Sequence, residues 1–161
     1  MSNLIDELIS RDAQRSPQIV RAEEIRLRNV EVRKAKLPRF WWMLLREVET
    51  LCAELGKAFP NNEARRCTVE KLGHIDGFRI GSAASPPRHI VQVTWNVHGL
   101  TFDYTETVQK ELYQRDVEEA HGEIRITVRP DDEALVAHYH ELECDSPQRL
   151  AEALVRYVIR E

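Results

Sequence analysis

The sequence has few cysteines and few glycines, and neither set has a spacing that builds a site. Its three cysteines, Cys52, Cys67 and Cys144, are far apart and form no Cys-x-x-Cys pair. An odd, scattered set argues against a disulfide framework and against a zinc site made mainly of thiolates. The six glycines show no phosphate-loop spacing, and no Gly-x-Ser-x-Gly pattern is present. We therefore expect buried free thiols and no serine-nucleophile elbow.

Long apolar runs and a large net charge are also missing. The longest purely apolar run, residues 40–45, covers about a quarter of a membrane span. The first residues lack the basic stretch and apolar core of a signal peptide. A formal net charge of −4 provides no basic field that would attract nucleic acid or anionic lipid. We expect a cytoplasmic protein with neither a membrane nor a nucleic-acid partner.

Charge and apolar periodicity divide the chain into two parts. Residues 1–46 hold ten Lys or Arg and six Asp or Glu, whereas residues 47–161 hold thirteen and twenty-one. The pattern is helical up to about Phe59, with boundaries predicted at Ser16-Pro17 and Leu37-Pro38, because proline favours the first helical turn and disrupts a helix interior. We predict an N-terminal helical appendage over residues 1–36 and one globular unit over residues 37–161.

Beyond Phe59 the apolar residues mostly alternate with period two. This alternation predicts about five strands within residues 67–104 and 122–142, one of them spanning residues 88–97. Residues 105–120 fit either a helix or a continuing strand. Ser146-Pro147 is a helix start signal, and the apolar residues after it predict a closing helix. The order indicates an α+β fold: N-terminal helices, a curved antiparallel β-meander, and a C-terminal helix packed across the sheet.

The N-terminal helices carry the leading functional hypothesis. The stretch around Arg21 and Arg28 is polar with only a thin apolar stripe, which is typical of a helix that projects or pairs with another chain. Trp41 and Trp42 are adjacent, so about 100° of helix rotation separates them and only one can face the core. We interpret the chain as a small non-catalytic interaction module. It would self-associate, as a homo-oligomer, or bind a protein partner through these helices.

The alternative is a small-molecule-binding or enzymatic cavity between the curved sheet and the C-terminal helix. Antiparallel sheets with a helix laid across one face often leave a pocket. His138 and His140 are two residues apart on a predicted strand, so both imidazoles could reach one metal ion. The sequence identifies no cofactor and no catalytic residue. The aromatic residues expected to line the cavity are Trp95, Phe102, Tyr104 and Tyr139.

Overall fold

A single 57-residue helix, α1 (Ser2–Ala58), forms the first third of the computed structural model, which describes residues 2–96 and 98–160. Both predicted helix boundaries are wrong, because Pro17 and Pro38 lie inside this helix. An internal proline removes one helical hydrogen bond and costs about 3 kcal/mol. At Pro38 the neighbouring residues Leu37 and Phe40 are buried against the rest of the protein, and their packing opposes a break. The helix also continues across the predicted division between residues 36 and 37.

The α+β fold and its antiparallel meander are confirmed, with more strands than expected. A short 3₁₀ turn (Glu63–Arg65) leads into a seven-stranded sheet whose strands pair in chain order, and a helix closes the chain. Every strand pair is antiparallel. The remaining elements are β1 (Cys67–Lys71), β2 (Gly77–Ser82), β3 (Arg88–Trp95), β4 (Phe102–Gln109), β5 (Val117–Val128), β6 (Leu135–Tyr139), β7 (Leu142–Cys144) and α2 (Pro147–Ile159).

The stretch that fitted either a helix or a strand is extended. β4 runs on to Gln109, and β5 begins at Val117 after a short connection. Strand periodicity prevails because Glu106 and Val108 continue the inward-facing positions of the strand and both are buried. The pairing shifts by one residue after Glu106, which marks a bulge in β5. Val97, predicted as the last residue of its strand, lies outside the described residues, and β3 ends at Trp95.

Both helices pack on one face of the sheet. Cross-strand partners such as Phe78 with Val93 and Phe102 with Ile124 are fully buried on that face. The predicted cap of α2 is confirmed, because the Ser146 hydroxyl accepts the Arg149 backbone N–H at 3.2 Å and Pro147 opens the helix. The buried stripe of α2 comprises Leu150, Ala151, Leu154, Val155 and Val158.

An aromatic cluster fixes α1 on the sheet. The Trp41 ring lies 4.9 Å from Phe102, 5.4 Å from Phe78 and 5.9 Å from Trp95, measured between ring centroids. Trp41 itself is buried. Tilted aromatic pairs at such separations each contribute roughly 0.5–1.5 kcal/mol beyond the area they bury. The C-terminal half of α1 is therefore held by its own side chains in the core, and this leaves the N-terminal half free to extend away.

Candidate functional site

The N-terminal half of α1 projects from the protein. Every residue from Asn3 to Arg28 is exposed, and we call this stretch the projecting segment. At 1.5 Å per residue it reaches roughly 40 Å. Its base is clamped by Glu133, whose carboxylate accepts two hydrogen bonds from Arg28 at 3.0 and 3.2 Å. Lys36 also donates to the Glu133 carbonyl at 2.7 Å. The helix therefore leaves the core at a defined point.

The projecting segment exposes large apolar side chains. Eight such side chains are each between 47% and 65% exposed, although large apolar side chains are usually buried in a protein core. An isolated helix without tertiary packing is only marginally stable in water. Apolar exposure of this extent on an unpacked helix is typical of a surface that another chain covers. The eight residues are Leu4, Ile5, Leu8, Ile9, Ile19, Val20, Ile25 and Leu27.

This apolar content does not make the segment a membrane span. Among the helices within residues 2–96 and 98–160, none combines the length and hydropathy that crossing a bilayer requires. The projecting segment holds five acidic and five basic residues interspersed with its apolar ones.

Charge is divided along the projecting segment. Residues 3–14 hold three acids and one base, whereas residues 15–28 hold four bases and two acids. Some of these charges are paired within the helix, since Arg26 binds Glu23 at 2.6 Å and Arg11 lies 4.0 Å from Glu7. By contrast, Asp12 and Arg15 make no ion pair or hydrogen bond within the part of the chain that the structure describes. Their charges are available to another molecule.

The predicted interface residues fall in three different environments. Arg21 lies on the projecting segment, exposed and without an ion pair among the described side chains. Arg28 is engaged by Glu133 at the base of the segment. Trp41 is buried in the core, whereas Trp42 is 55% exposed with the Arg46 guanidinium 4.7 Å above its ring. The adjacent tryptophans therefore diverge as helix geometry requires.

A second group of polar side chains is buried on the core face of the sheet around Glu106. Its carboxylate accepts a hydrogen bond from the His140 imidazole. Glu106 is only 3% exposed and is the one Asp, Glu, Lys or Arg classed as buried within residues 2–96 and 98–160. A buried charge is costly unless it is paired, so the histidine stabilises the carboxylate. The Tyr104 and Tyr139 rings lie 5.3 and 4.6 Å from the His140 ring and shield this pair.

Tyr139 leaves one hydrogen-bonding group unused. Its hydroxyl is buried and makes no hydrogen bond of normal geometry to the residues that the structure describes. Burial raises the pKa of this hydroxyl, and the nearby Glu106 carboxylate raises that pKa further. An unpaired buried hydroxyl costs roughly 1–3 kcal/mol, so it is normally matched by water or by a ligand.

His89 extends the buried polar group toward α2. Tyr157 donates its hydroxyl hydrogen to Glu119 at 2.9 Å, so it accepts from His89 Nδ1, which lies 3.2 Å away. Burial lowers the pKa of His89, and the positive charge of Arg160 lowers that pKa further. Beside it lies an open cleft of about 560 Å³ whose lining includes Lys110 and Arg160.

The paired-histidine prediction does not match the geometry. β6 ends at Tyr139, and His140 adopts a left-handed φ of 53° in the turn that follows, so the alternation that would align it with His138 stops one residue earlier. His140 turns back to Glu106, whereas His138 Nε2 lies 2.7 Å from Thr127 Oγ1 on the neighbouring strand. The expectation that both imidazoles share one strand face is therefore wrong. Across residues 2–96 and 98–160, no group of three or more His, Cys, Asp or Glu side chains is placed to hold a metal ion.

The aromatic residues predicted to line a cavity separate into two pairs. Trp95 and Phe102 pack on Trp41 and fill space between α1 and the sheet. Tyr104 and Tyr139 lie edge to face at 5.1 Å, next to the buried carboxylate. Sequence reasoning did not single out Glu106. Its place in the alternation between Tyr104 and Val108 was the available signal, because that position faces inward on a strand.

Comparisons with known proteins add no relative. No family model matches this sequence, and neither the curated proteins nor the solved structures contain a significant match.

Proposed function

We propose that this protein is a non-catalytic interaction module whose projecting segment docks against another protein chain. The observation that carries the proposal is the exposure of eight large apolar side chains along one helix, seven of them on the same side of it. Fully burying one such side chain contributes about 1.5–3 kcal/mol, so covering several of them supports a stable association. The Glu133 clamp supports the same function, because it fixes where the segment leaves the core.

Site-specific photo-cross-linking tests this proposal in the intact chain. A p-benzoylphenylalanine at Ile19 lies on the projecting segment, and the same group at Glu54 lies on an exposed position of the same helix beside the core. We expect a specific cross-linked product from position 19 and none from position 54, with the captured chain identified from its cross-linked peptides. Equal, non-specific labelling at both positions would contradict the proposal.

A second candidate function is binding of a small polar molecule at the Glu106 group. The specific observation that favours it is the unpaired Tyr139 hydroxyl beside a buried carboxylate and a half-exposed histidine. A ligand that offers an acceptor or donor to this hydroxyl would complete the site. Native mass spectrometry of the wild type and of Tyr139→Phe tests it. A stoichiometric adduct that the variant loses would support this function, and adduct-free spectra for both would oppose it.

A further inference from the structure

We propose that the partner of the projecting segment is the same segment of a second copy of this chain, with the two helices antiparallel. This inference rests on the proposed function and names its partner. Its first support is the division of charge, since residues 3–14 carry a net excess of acid and residues 15–28 a matching excess of base. Antiparallel pairing brings acidic residues in the first half of one copy toward basic residues in the second half of the other, whereas parallel pairing sets like charges together.

The apolar side chains show the same two-part arrangement. Four lie in the acidic half, from Leu4 to Ile9, and four lie in the basic half, from Ile19 to Leu27. A two-fold axis between residues 13 and 14 brings residues 4–9 of one copy opposite residues 18–23 of the other, which include Ile19 and Val20 of the second group. This is the self-complementarity that an isologous interface requires.

In this register one apolar contact and one charge contact lie on the same line along the helix. Leu8, Asp12, Arg15 and Ile19 follow one another at spacings of four, three and four residues, so they form one line along the helix. A two-fold axis between residues 13 and 14 places Leu8 opposite Ile19 and Asp12 opposite Arg15. Symmetry makes each contact twice. Asp12 and Arg15 are free for this contact, because neither has a charged partner within the described part of its own chain.

The charge balance of the segment also argues against other occupants. Its five acids and five bases give no net field toward a strongly charged partner such as nucleic acid or an anionic membrane. A surface whose two halves carry opposite charge is complementary to itself when reversed. The segment therefore favours a second copy over a partner of one charge sign.

Charge exchange tests the antiparallel register by sedimentation equilibrium of the full chain. Asp12→Arg and Arg15→Asp each place like charges opposite one another twice, and we expect each to weaken self-association by about tenfold. The variant that carries both changes restores opposite charges, so its affinity should return to within about threefold of the wild type. Circular dichroism of all three variants checks that helix content is unchanged.

The outcomes separate this inference from the proposed function. Single charge variants that bind as tightly as the wild type, or a double variant that does not recover, would overturn the antiparallel register. Leu8→Lys removes an apolar contact in any pairing of the two segments. If it abolishes self-association while the charge variants associate like the wild type, the segments dock in an arrangement other than this register. A wild-type chain that stays monomeric while position 19 cross-links to a different identified protein would overturn the second copy as partner and leave the docking function standing.

Discussion

At the scale of single residues, the buried group around Glu106 contains one hydrogen-bonded pair and one hydroxyl whose hydrogen-bonding capacity is not fully used. His140 meets the carboxylate, whereas the Tyr139 hydroxyl lies near the same carboxylate but makes no hydrogen bond of normal geometry to the described residues. Hydrogen bonds contribute little net stability when made, yet a buried group left unpaired is costly. We therefore expect substitution by phenylalanine at Tyr139 and at Tyr157 to change the free energy of unfolding in opposite directions.

Replacement of Tyr139 by phenylalanine should raise the free energy of unfolding by about 1 kcal/mol, because it deletes the unpaired hydroxyl and keeps the ring. Tyr157→Phe is the matched control. It removes a hydroxyl that binds both Glu119 and His89, so it should lower stability by a similar amount. Urea titrations of the two variants measure both effects. A loss of stability in Tyr139→Phe would contradict the prediction and indicate that Glu106, water or a ligand accepts a hydrogen bond from this hydroxyl.

His89 should make stability depend on pH. Its pKa is lowered in the folded protein, so the unfolded chain takes up a proton more readily. Stability should be complete above the unfolded histidine pKa of about 6.5 and should decline as the pH falls below it. The groups that face His89 are Tyr157, Glu119, Glu106 and Arg160. Urea titrations from pH 7.5 to 5 should show a smaller decline for His89→Gln, and identical slopes would contradict the prediction.

Cys52 and Cys67 form a buried thiol pair that the sequence spacing does not reveal. Their Sγ atoms are 2.9 Å apart, between the end of α1 and the start of β1. The hydrogen bond from the Cys52 thiol lowers the pKa of Cys67, which favours the nucleophilic thiolate at that position.

Glutathione disulfide should oxidise this pair to a disulfide, with two glutathione molecules released as thiols. Closing a loop of this length stabilises a protein by about 3 kcal/mol in the chain-entropy model. We expect a mass loss of two hydrogens and a higher unfolding temperature, both absent in Cys67→Ala. Persistence of three free thiols in the treated wild type, measured by thiol titration, would disprove the pairing.

At the scale of elements, α1 is continuous although its sequence contains two helix-disrupting residues. Pro38 is exposed and lies between the buried side chains of Leu37 and Phe40. Pro17 lies in the projecting segment, where no packing holds the helix. The two prolines therefore differ in what their removal should change.

Pro38→Ala should raise the free energy of unfolding by about 1–2 kcal/mol. The hydrogen bond that the helix regains outweighs the greater conformational freedom of the unfolded chain, which acts in the opposite direction. Pro17→Ala should leave global unfolding unchanged and increase only helix content. Circular dichroism and denaturant titration distinguish the two effects. A stability loss in Pro38→Ala would mean that the proline ring makes a packing contact or shapes a bend that the fold requires.

At the scale of the whole molecule, the order of helices and strands was predictable from the sequence, whereas three features that position the sites were not. Period-two alternation and the Ser146-Pro147 cap were sufficient for the sheet and α2, because those signals are local. The prediction of a helix break at Pro38 was wrong, because the core packing of its neighbours outweighs the hydrogen bond that the proline removes. The inward place of Glu106 and the turn at His140 depend on where strands end, which is a tertiary property.

The two candidate sites predict different bound species, because the projecting segment would bind another chain and the Glu106 group would bind a small molecule. Native mass spectrometry of the untagged wild-type protein across the micromolar range measures both at once. We predict a species of twice the 18.8 kDa chain mass with no adduct, diminished by Leu8→Lys. A monomer at every concentration, carrying a stoichiometric small molecule, would contradict docking of the projecting segment to a second copy and favour the Glu106 site.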